Sequence, residues 1–312
     1  LKTFWLTFWF NMESVRSLFS LGGHVARLSA RRSWPSSLLR KPLAGVHAFF
    51  DSTWWRVFST FLGLVIPVLS VAQWHATRGI SHSFFVNLAC WFLGCKLGIA
   101  FPMSVVLHRL FAHRAFQVGR FTQFVLAWIG CLAYQKGPLW WASKHRRHHK
   151  HCDTELDPHS WERMGFWRAW LGWTLDPKEM HVDHEFLGSL AQYPELEFVD
   201  RYWFLSPLAF VYFLWRVCGI HCSFPLMSML LCMVFTLYFN VEYHPPREGS
   251  VCKAVDFMKF TTDIVGESYH HDHHEYPRRA QRPGRDFAFQ IFLRPSGSQA
   301  ARQDMNDGGS HA

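Results

Sequence analysis

The sequence predicts an all-α integral membrane protein with four transmembrane helices arranged as two hairpins. Nearly half of the 312 residues are hydrophobic, yet the mean hydropathy is close to zero, because long apolar segments alternate with polar, histidine-rich segments. An apolar segment of roughly 17–25 residues is long enough to cross a bilayer as a helix. The segments that meet this requirement are Arg56–Trp74, Phe84–Leu107, Tyr202–Ile220 and Phe224–Val241.

Two details accompany these segments. Trp54, Trp55 and Trp74 flank the first one and are suited to anchor it at the membrane interfaces. Lys96 lies inside the second, where a charge is either functional or reaches the interface along its flexible stem. A further apolar segment, residues 121–134, is only 14 residues long and predicts an interfacial or buried helix.

Two hairpins place residues 108–201 and everything after residue 241 on the same side of the membrane. Residues 108–201 contain twelve Lys or Arg, whereas Arg78 is the exception in connecting loops that otherwise hold almost none. Positive charge is retained on the cytosolic side of membranes. We therefore expect this side to face the cytosol or its organelle equivalent.

Both ends of the chain differ from its centre. Residues 1–50 are rich in Ser and Arg and poor in acidic residues, which is typical of an organelle transit peptide or of a disordered basic tail beside a membrane. Residues 296–312 predict a disordered tail, which leaves residues 51–295 as the folded domain. The net charge of +9 fits contact with an anionic membrane face or anionic substrate groups. No nucleic-acid-binding motif is present.

Histidines form four groups on the expected cytosolic side. On a helix, residues at i, i+3 and i+4 share one face, and this spacing occurs in both HRRHH and HHDHH. Neutral imidazole binds iron, zinc and copper, and nine histidines suit two ions rather than one. The candidate ligands are His108, His113, His145, His148, His149, His244, His270, His273 and His274.

Acidic residues flank these groups. Asp153, Asp157 and Glu267 are expected to accept hydrogen bonds from the outward ring nitrogens of the ligand histidines. His151, His159, His181, His184, His221 and His271 lack the ligand spacing and are expected beside the site or at the surface. The eight cysteines include no CxxC pair, and we expect reduced, buried thiols and no cysteine ligand.

These motifs resemble the three histidine boxes of the membrane fatty acyl desaturases. HRLFAH, HRRHHK followed by CDTELDPHS, and GESYHHDHHEYP match the boxes in order and spacing, and Asn240 with His244 matches the NxxxH that ends the fourth span in this family. The most similar pattern is the delta-9 type, which acts on acyl-CoA or acyl-lipid. The resemblance implies four transmembrane helices beneath a cytosolic helical cap that holds a di-iron centre. It also implies that dioxygen and two electrons are consumed in each turnover, which forms a cis double bond in a saturated long-chain acyl group.

Two departures from the family pattern concern substrate and electrons. His271 stands where the third box commonly has Asn, and the residues after His244 are not those of the animal acyl-CoA enzymes, so both acyl carriers stay open. No His-Pro-Gly-Gly haem motif is present. Electrons are therefore expected from a separate carrier, either cytochrome b5 with its reductase at the endoplasmic reticulum, the default location, or ferredoxin in a plastid. A mitochondrial membrane is a third location that the leader allows.

An unactivated methylene group has no acidic proton, so a metal-bound oxidant rather than a side-chain base must remove hydrogen. No catalytic residue is expected beyond the metal site. Phe111, Trp140 and Trp141 are candidate walls of a substrate tunnel, with ordinary core packing as the alternative. Arg146, Arg147 and Lys150 are candidates to meet a headgroup or the electron carrier, with solvated surface charge as the alternative.

Two other functions compete with desaturation. A membrane hydroxylase of the same di-iron class uses similar motifs. A non-enzymatic metal carrier is disfavoured, because it would place ligands inside the spans. Within the site, we expect His244 to bind iron directly and Asn240 to contact the metal through water. The alternative is that both residues cap the end of the fourth helix.

Overall fold

The computed structural model describes residues 44–78 and 83–294. These residues are helical or irregular, with one isolated β-bridge between Asp256 and Tyr269, which confirms the all-α prediction. The predicted tail from 296 onward and most of the predicted leader lie outside the described residues.

The helices of the described residues fall into long apolar helices and short connecting ones. The α-helices are α1 (Ala44–Asp51), α2 (Thr53–Arg78), α3 (Ser83–Gly98), α4 (Arg120–Gly130), α5 (Pro138–His151), α6 (Trp161–Met164), α7 (Phe166–Trp170), α8 (Pro194–Arg201), α9 (Leu205–Cys218), α10 (Ser223–Glu242), α11 (Phe260–Asp263), α12 (His270–Glu275) and α13 (Phe287–Phe292). A π-helix, Ile99–Ala112, continues α3 without a break, and 3-10 helices cover Cys131–Ala133, Gly172–Leu175, Pro177–Glu179, His184–Phe186 and Gly188–Gln192.

Within residues 44–78 and 83–294, three helices are long and apolar enough to cross a membrane: Thr53–Thr77, Phe84–Ala112 and Ser223–Glu242. The second runs five residues beyond the predicted Leu107 and so contains His108. The third predicted span is shorter than expected, since its helix is the 14-residue α9. At about 1.5 Å per residue, α9 measures about 21 Å, less than the roughly 30 Å of a hydrocarbon core.

The chain around α9 nevertheless extends alongside most of α2. Arg201, just before α9, binds Asp51 at one end, with Nε 2.8 Å from Oδ2. His221, just after α9, meets Trp74 at the other end, with ring centroids 4.5 Å apart. Residues 202–221 therefore extend alongside residues 51–74.

The long helices support a cap formed by residues 113–201 and 243–294. Helix α10 packs against α2 and α3, and α5 packs against the π-helix. Helix α4, within the short apolar segment, buries Leu126 and Ala127 and leaves Phe121 75% exposed. It is a partly buried helix against the π-helix, as its length predicted.

The folded domain begins before residue 51. Residues 44–50, assigned to the leader from the sequence, form most of α1. This helix packs against α2 and α8, and its last residue, Asp51, binds both Arg56 and Arg201.

Candidate metal centre

Nine histidines converge in the cap, above the ends of the π-helix and α10. They separate into two groups by the distances between their Nε2 atoms. Cluster A consists of His108, His113, His145, His149 and His273, with Nε2–Nε2 distances of 2.8–3.1 Å. Cluster B consists of His148, His244, His270 and His274. The clusters touch where the rings of His149 and His274 stack, with centroids 4.1 Å apart.

The sequence predicts that the three histidines of α5 converge on one point. In the structure they instead divide between the two clusters. His145 and His149 join cluster A, whereas His148 faces cluster B. Successive residues of an α-helix turn by about 100°, so positions i+3 and i+4 lie on opposite sides of position i. Helix α12 mirrors this arrangement: His270 and His274 join cluster B, and His273 joins cluster A. Each helix therefore contributes to both clusters.

His108 and His113 share a face because their helix is a π-helix. Five residues along an α-helix correspond to a turn of about 140°, which would separate the two rings. In the π-helix, the His113 backbone N–H instead donates to the His108 carbonyl, an i to i+5 bond of 3.0 Å. The two ring centroids are consequently 4.9 Å apart.

Three carboxylates contact the outer nitrogens of three of these histidines. Nδ1 of His108 lies 3.1 Å from Glu267, that of His148 lies 2.9 Å from Asp157, and that of His244 lies 2.8 Å from Asp153. Asp157 also accepts from the backbone N–H groups of Asp153 and His159, which folds the DTELDPH segment into a turn behind His148.

The electrostatics keep these carboxylates ionised. Burial opposes ionisation of Glu267, but His108 and Arg109 outweigh it and lower the pKa of Glu267 to about 2. Burial also acts to raise the pKa of Asp153, but the hydrogen bond from His244 outweighs burial and lowers it. An ionised acceptor at Nδ1 fixes the proton there and leaves the Nε2 lone pair pointing inward.

This arrangement fits metal ions. With Nδ1 protonated, the Nε2 atoms of His108 and His244 carry lone pairs, and each faces another imidazole at 2.9–3.0 Å. A lone pair aimed into a group of ring nitrogens is the orientation that a histidine metal ligand needs. The nitrogen donor set suits a transition metal, and two of the three α5 histidines, His148 and His149, lie in its last turn, where the helix dipole favours positive charge.

Gly266 places Glu267 beneath His108. Its φ of +74° is a conformation that favours glycine, and a Cβ there would collide with Asp286 and Arg109. Those two side chains form a fully buried ion pair of 3.0 Å. The GE dipeptide of the third motif thus lets the loop pass this ion pair and present its carboxylate.

Two cavities meet at the metal centre. One, of about 360 Å³, lies between α3, the π-helix, α10 and residues 259–267, and reaches His108 and His270. Its walls combine apolar side chains of the three helices with charged ones such as Lys96 and Glu242. The other, of about 40 Å³, is lined by Trp140, Trp173 and Met233 among others. Trp141, His145 and Asn240 line both cavities. The Trp141 ring also stacks on that of His145, with centroids 4.7 Å apart.

The candidate tunnel residues have different outcomes. Trp140 and Trp141 line cavities, whereas Phe111 is 1% exposed in the hydrophobic core and lines neither of these two. Lys96 lines the larger cavity and donates to the Thr261 carbonyl at 3.4 Å.

Two of the three basic residues that follow His145 form hydrogen bonds or ion pairs within the protein. Arg146 donates to four backbone carbonyls, including that of Ala112 at 2.6 Å, and Arg147 binds Glu179 and Asp183. These two side chains bind within the cap and are not free surface charges. Lys150 is exposed.

One feature was missed at the sequence level, and one histidine lies at the first of its two expected places. His159, expected beside the site or at the surface, is buried beside the site, with its ring centroid 4.4 Å from that of His148. Cys152 and Cys252 form a disulfide, which corrects the expectation of reduced thiols throughout. A signal was available: these two cysteines lie in polar segments, whereas the other six lie in or beside apolar ones.

Comparisons with known proteins agree with the site. Residues 86–282, more than half of the chain, match the family model described as fatty acid desaturase. The chain is 30% identical over 233 residues to the sn-2 palmitoyl-lipid 9-desaturase of Nostoc, covering 69% of this chain and 80% of that protein. It is 29% identical over 251 residues to a probable chloroplastic lipid desaturase of Arabidopsis thaliana (73% and 64%) and 28% identical over 222 residues to the icosanoyl-CoA 5-desaturase of Limnanthes douglasii (66% and 61%).

Proposed function

The chain belongs to the fatty acid desaturase family, and from that premise we propose that it introduces a cis double bond into a saturated long-chain acyl group at a di-iron centre. The observation that carries the proposal is the convergence of nine histidine rings in two adjoining clusters. Cluster A would hold one iron ion and cluster B the other. Bound iron would supply the oxidising power that activates dioxygen against an unactivated C–H bond.

The protein's own residues have three tasks in this reaction. Asp153, Asp157 and Glu267 hold protons on the Nδ1 atoms of their histidines, which orients the rings and strengthens Nε2 as a ligand. The larger cavity beside His108 and His270 would hold the acyl chain. Burial of the clusters keeps water from the reacting carbons.

We propose a long-chain acyl-CoA or acyl-lipid as the substrate, since relatives named for each carrier occur among the similar proteins. We also propose four membrane crossings, with residues 202–221 as the third. The proposal of a third crossing is supported by the parallel course of residues 202–221 and residues 51–74.

Expression in desaturase-deficient yeast tests the reaction. Gas chromatography of the lipids should detect a cis-monoene with the wild-type chain and none with His145→Ala, at equal protein levels. A hydroxy fatty acid without a monoene would replace the desaturase proposal with a membrane hydroxylase.

A separate protein would deliver the electrons, either cytochrome b5 with its reductase or ferredoxin. Purified enzyme with iron, substrate and dioxygen should stay inactive until such a carrier and its reductase are added. Repeated turnover with a nicotinamide cofactor alone would contradict this.

The compartment is either the endoplasmic reticulum or an organelle reached by the leader. If the leader is a transit peptide, a fluorescent fusion of residues 12–50 should enter a plastid or mitochondrion. Reticular or diffuse fluorescence would leave the basic-tail interpretation.

A further inference from the structure

The Cys152–Cys252 disulfide lies directly behind two ligands of cluster B. Cys152 follows α5, and Cys252 lies in the loop after α10, 100 positions later in the chain. Each sulfur is 3.7 Å from one ligand ring: Cys152 Sγ from His244 Nδ1, and Cys252 Sγ from His274 Nδ1.

The disulfide faces the outer nitrogens of these rings. Nε2 of His244 and Nε2 of His274 both point to Nε2 of His270, at 3.0 and 3.3 Å. The sulfur atoms approach the opposite nitrogen of each ring. They are therefore placed to support the two ligands from behind, not to join them in binding the ion.

A hydrogen bond beside the disulfide strengthens the same connection. The Asp153 carboxylate accepts from His244 Nδ1 and from the Lys253 backbone N–H, both at 2.8 Å. Asp153 follows Cys152, and Lys253 follows Cys252. The covalent bond thus holds together the two segments that also share this carboxylate.

The position of the disulfide suits exchange with a reductant. Cys152 is buried and Cys252 is half-buried, so the Cys252 sulfur is the more accessible of the two. The positive charge of the cap places it on the cytosolic side or its organelle equivalent. Disulfides are rare in such reducing compartments, and those that occur are usually transient or redox-sensing.

We propose that the Cys152–Cys252 disulfide is a redox-sensitive brace whose reduction by a dithiol loosens His244 and His274 and speeds loss of metal from cluster B. The inference rests on the proposed di-iron function. One thiolate of the reductant attacks Cys252 Sγ and breaks the Sγ–Sγ bond, and Cys152 leaves and takes up a proton. The second reductant thiol then displaces Cys252, so that the reductant becomes a disulfide and the protein gains two thiols.

The test follows iron release from the full-length, iron-loaded protein in detergent. Wild type is incubated with an iron chelator, with or without dithiothreitol, and remaining iron is measured by mass spectrometry. We expect two iron ions per chain at the start and release of one of them about tenfold faster after reduction, the lower end of what ligand-supporting contacts contribute. Thiol labelling and peptide mass spectrometry should find Cys152 and Cys252 modified only after reduction.

Two paired variants complete the experiment. Cys152→Ala/Cys252→Ala should release that iron at the fast rate with or without reductant. Cys90→Ala/Cys218→Ala, which removes two free thiols from membrane helices, should respond to reductant like wild type. Wild type that binds iron but releases it equally fast in both conditions overturns the brace alone, as does labelling of both cysteines before reduction. Wild type that binds no iron overturns the di-iron proposal and the brace together.

Discussion

Cluster A and cluster B differ in what lies behind their histidines. Cluster A has five histidines but, among the described residues, a single supporting carboxylate, that of Glu267. This carboxylate also lies 3.9 Å from the buried guanidinium group of Arg109. Cluster B has four ligands, and two of them are held by separate carboxylates, Asp153 and Asp157.

The surrounding charge sets one histidine of cluster B apart, because the pKa of each of the seven other cluster histidines outside the membrane-spanning helices is lowered, first by burial. Burial and then the charge of Arg282 hold the pKa of His273, in cluster A, well below its usual value. For His148, in cluster B, burial acts in the same direction, but Asp157 outweighs it and raises the pKa. Among the described residues, cluster A thus combines five histidines with one anchoring carboxylate, and cluster B combines four histidines with two. Substitutions can test whether this difference matters for metal binding.

Removal of a ligand should have the largest effect, and should affect both clusters. His113→Ala in cluster A and His244→Ala in cluster B should each abolish monoene formation and reduce iron from two ions to about one per chain. Each loses a direct metal bond inside a buried site. Metal analysis of the purified protein and gas chromatography of the lipids measure the two effects.

The control is His271→Ala, an exposed neighbour of a ligand. It should keep full iron content and activity. If His244→Ala kept two iron ions and normal turnover, eight histidines would suffice and His244 would be structural.

The convergence of the nine histidines was predictable from the sequence, but their division between two clusters was not. Spacing of i, i+3 and i+4 identifies a shared helix face, yet α5 and α12 each direct one histidine to a different cluster from the other two. Which cluster each histidine joins depends on how α5 and α12 lie relative to each other, and the local spacing of residues carries no information about that. The π-helix beneath His108 was hidden for a similar reason, because it is defined by backbone bonds and not by side-chain type.

The membrane helices were predictable where the apolar segment and the helix coincide. Helices α2 and α10 match their predicted segments closely. The third segment produced only α9, because Tyr202–Phe204 form a turn and Gly219 ends the helix in a left-handed conformation. Hydropathy identifies an apolar stretch without specifying how much of it is helical.

Loss of a supporting carboxylate should cost less than loss of a ligand, and more in cluster B. Asp157→Asn removes the charge that holds His148 and weakens the turn from residue 153 to residue 159. Such contacts are typically worth 10–100-fold in metal affinity. We expect a loss of about that size.

The matched variant is Glu267→Gln in cluster A. There the Ser104 hydroxyl bonds the same carboxylate oxygen as His108, at 2.6 Å, and an amide oxygen can keep both bonds. We expect a smaller loss of affinity, because four other ligands remain. Competition with a chelator of known affinity compares the variants, and a greater loss in Glu267→Gln would reverse the comparison.

Cluster A has a structural weak point in the loop before Glu267. Gly266→Ala should lower the free energy of unfolding by ~1–3 kcal/mol or more. A side chain at positive φ usually costs this much, and the added Cβ would also collide with Asp286 and Arg109. Thermal unfolding in detergent measures the effect. Gly119→Ala is the control, since a Cβ there has no neighbour within 4 Å among the described residues, and an equal shift in both variants would remove the argument.

The smallest effect is expected at Asn240, which belongs to neither cluster. Asn240 lies on α10, is half-buried, and lines both cavities beside His145. It is placed to contact metal through water, and a water-mediated contact is weaker than a ligand bond. Asn240→Ala should therefore keep most of the iron but lower the rate of desaturation. Thr236→Ala, one helical turn earlier on α10, is the matched control for shape, because it lines the larger cavity alone. Iron content and turnover measured together separate the alternatives: loss of iron in Asn240→Ala would make it a direct ligand, and unchanged turnover would make it a residue of the helix end.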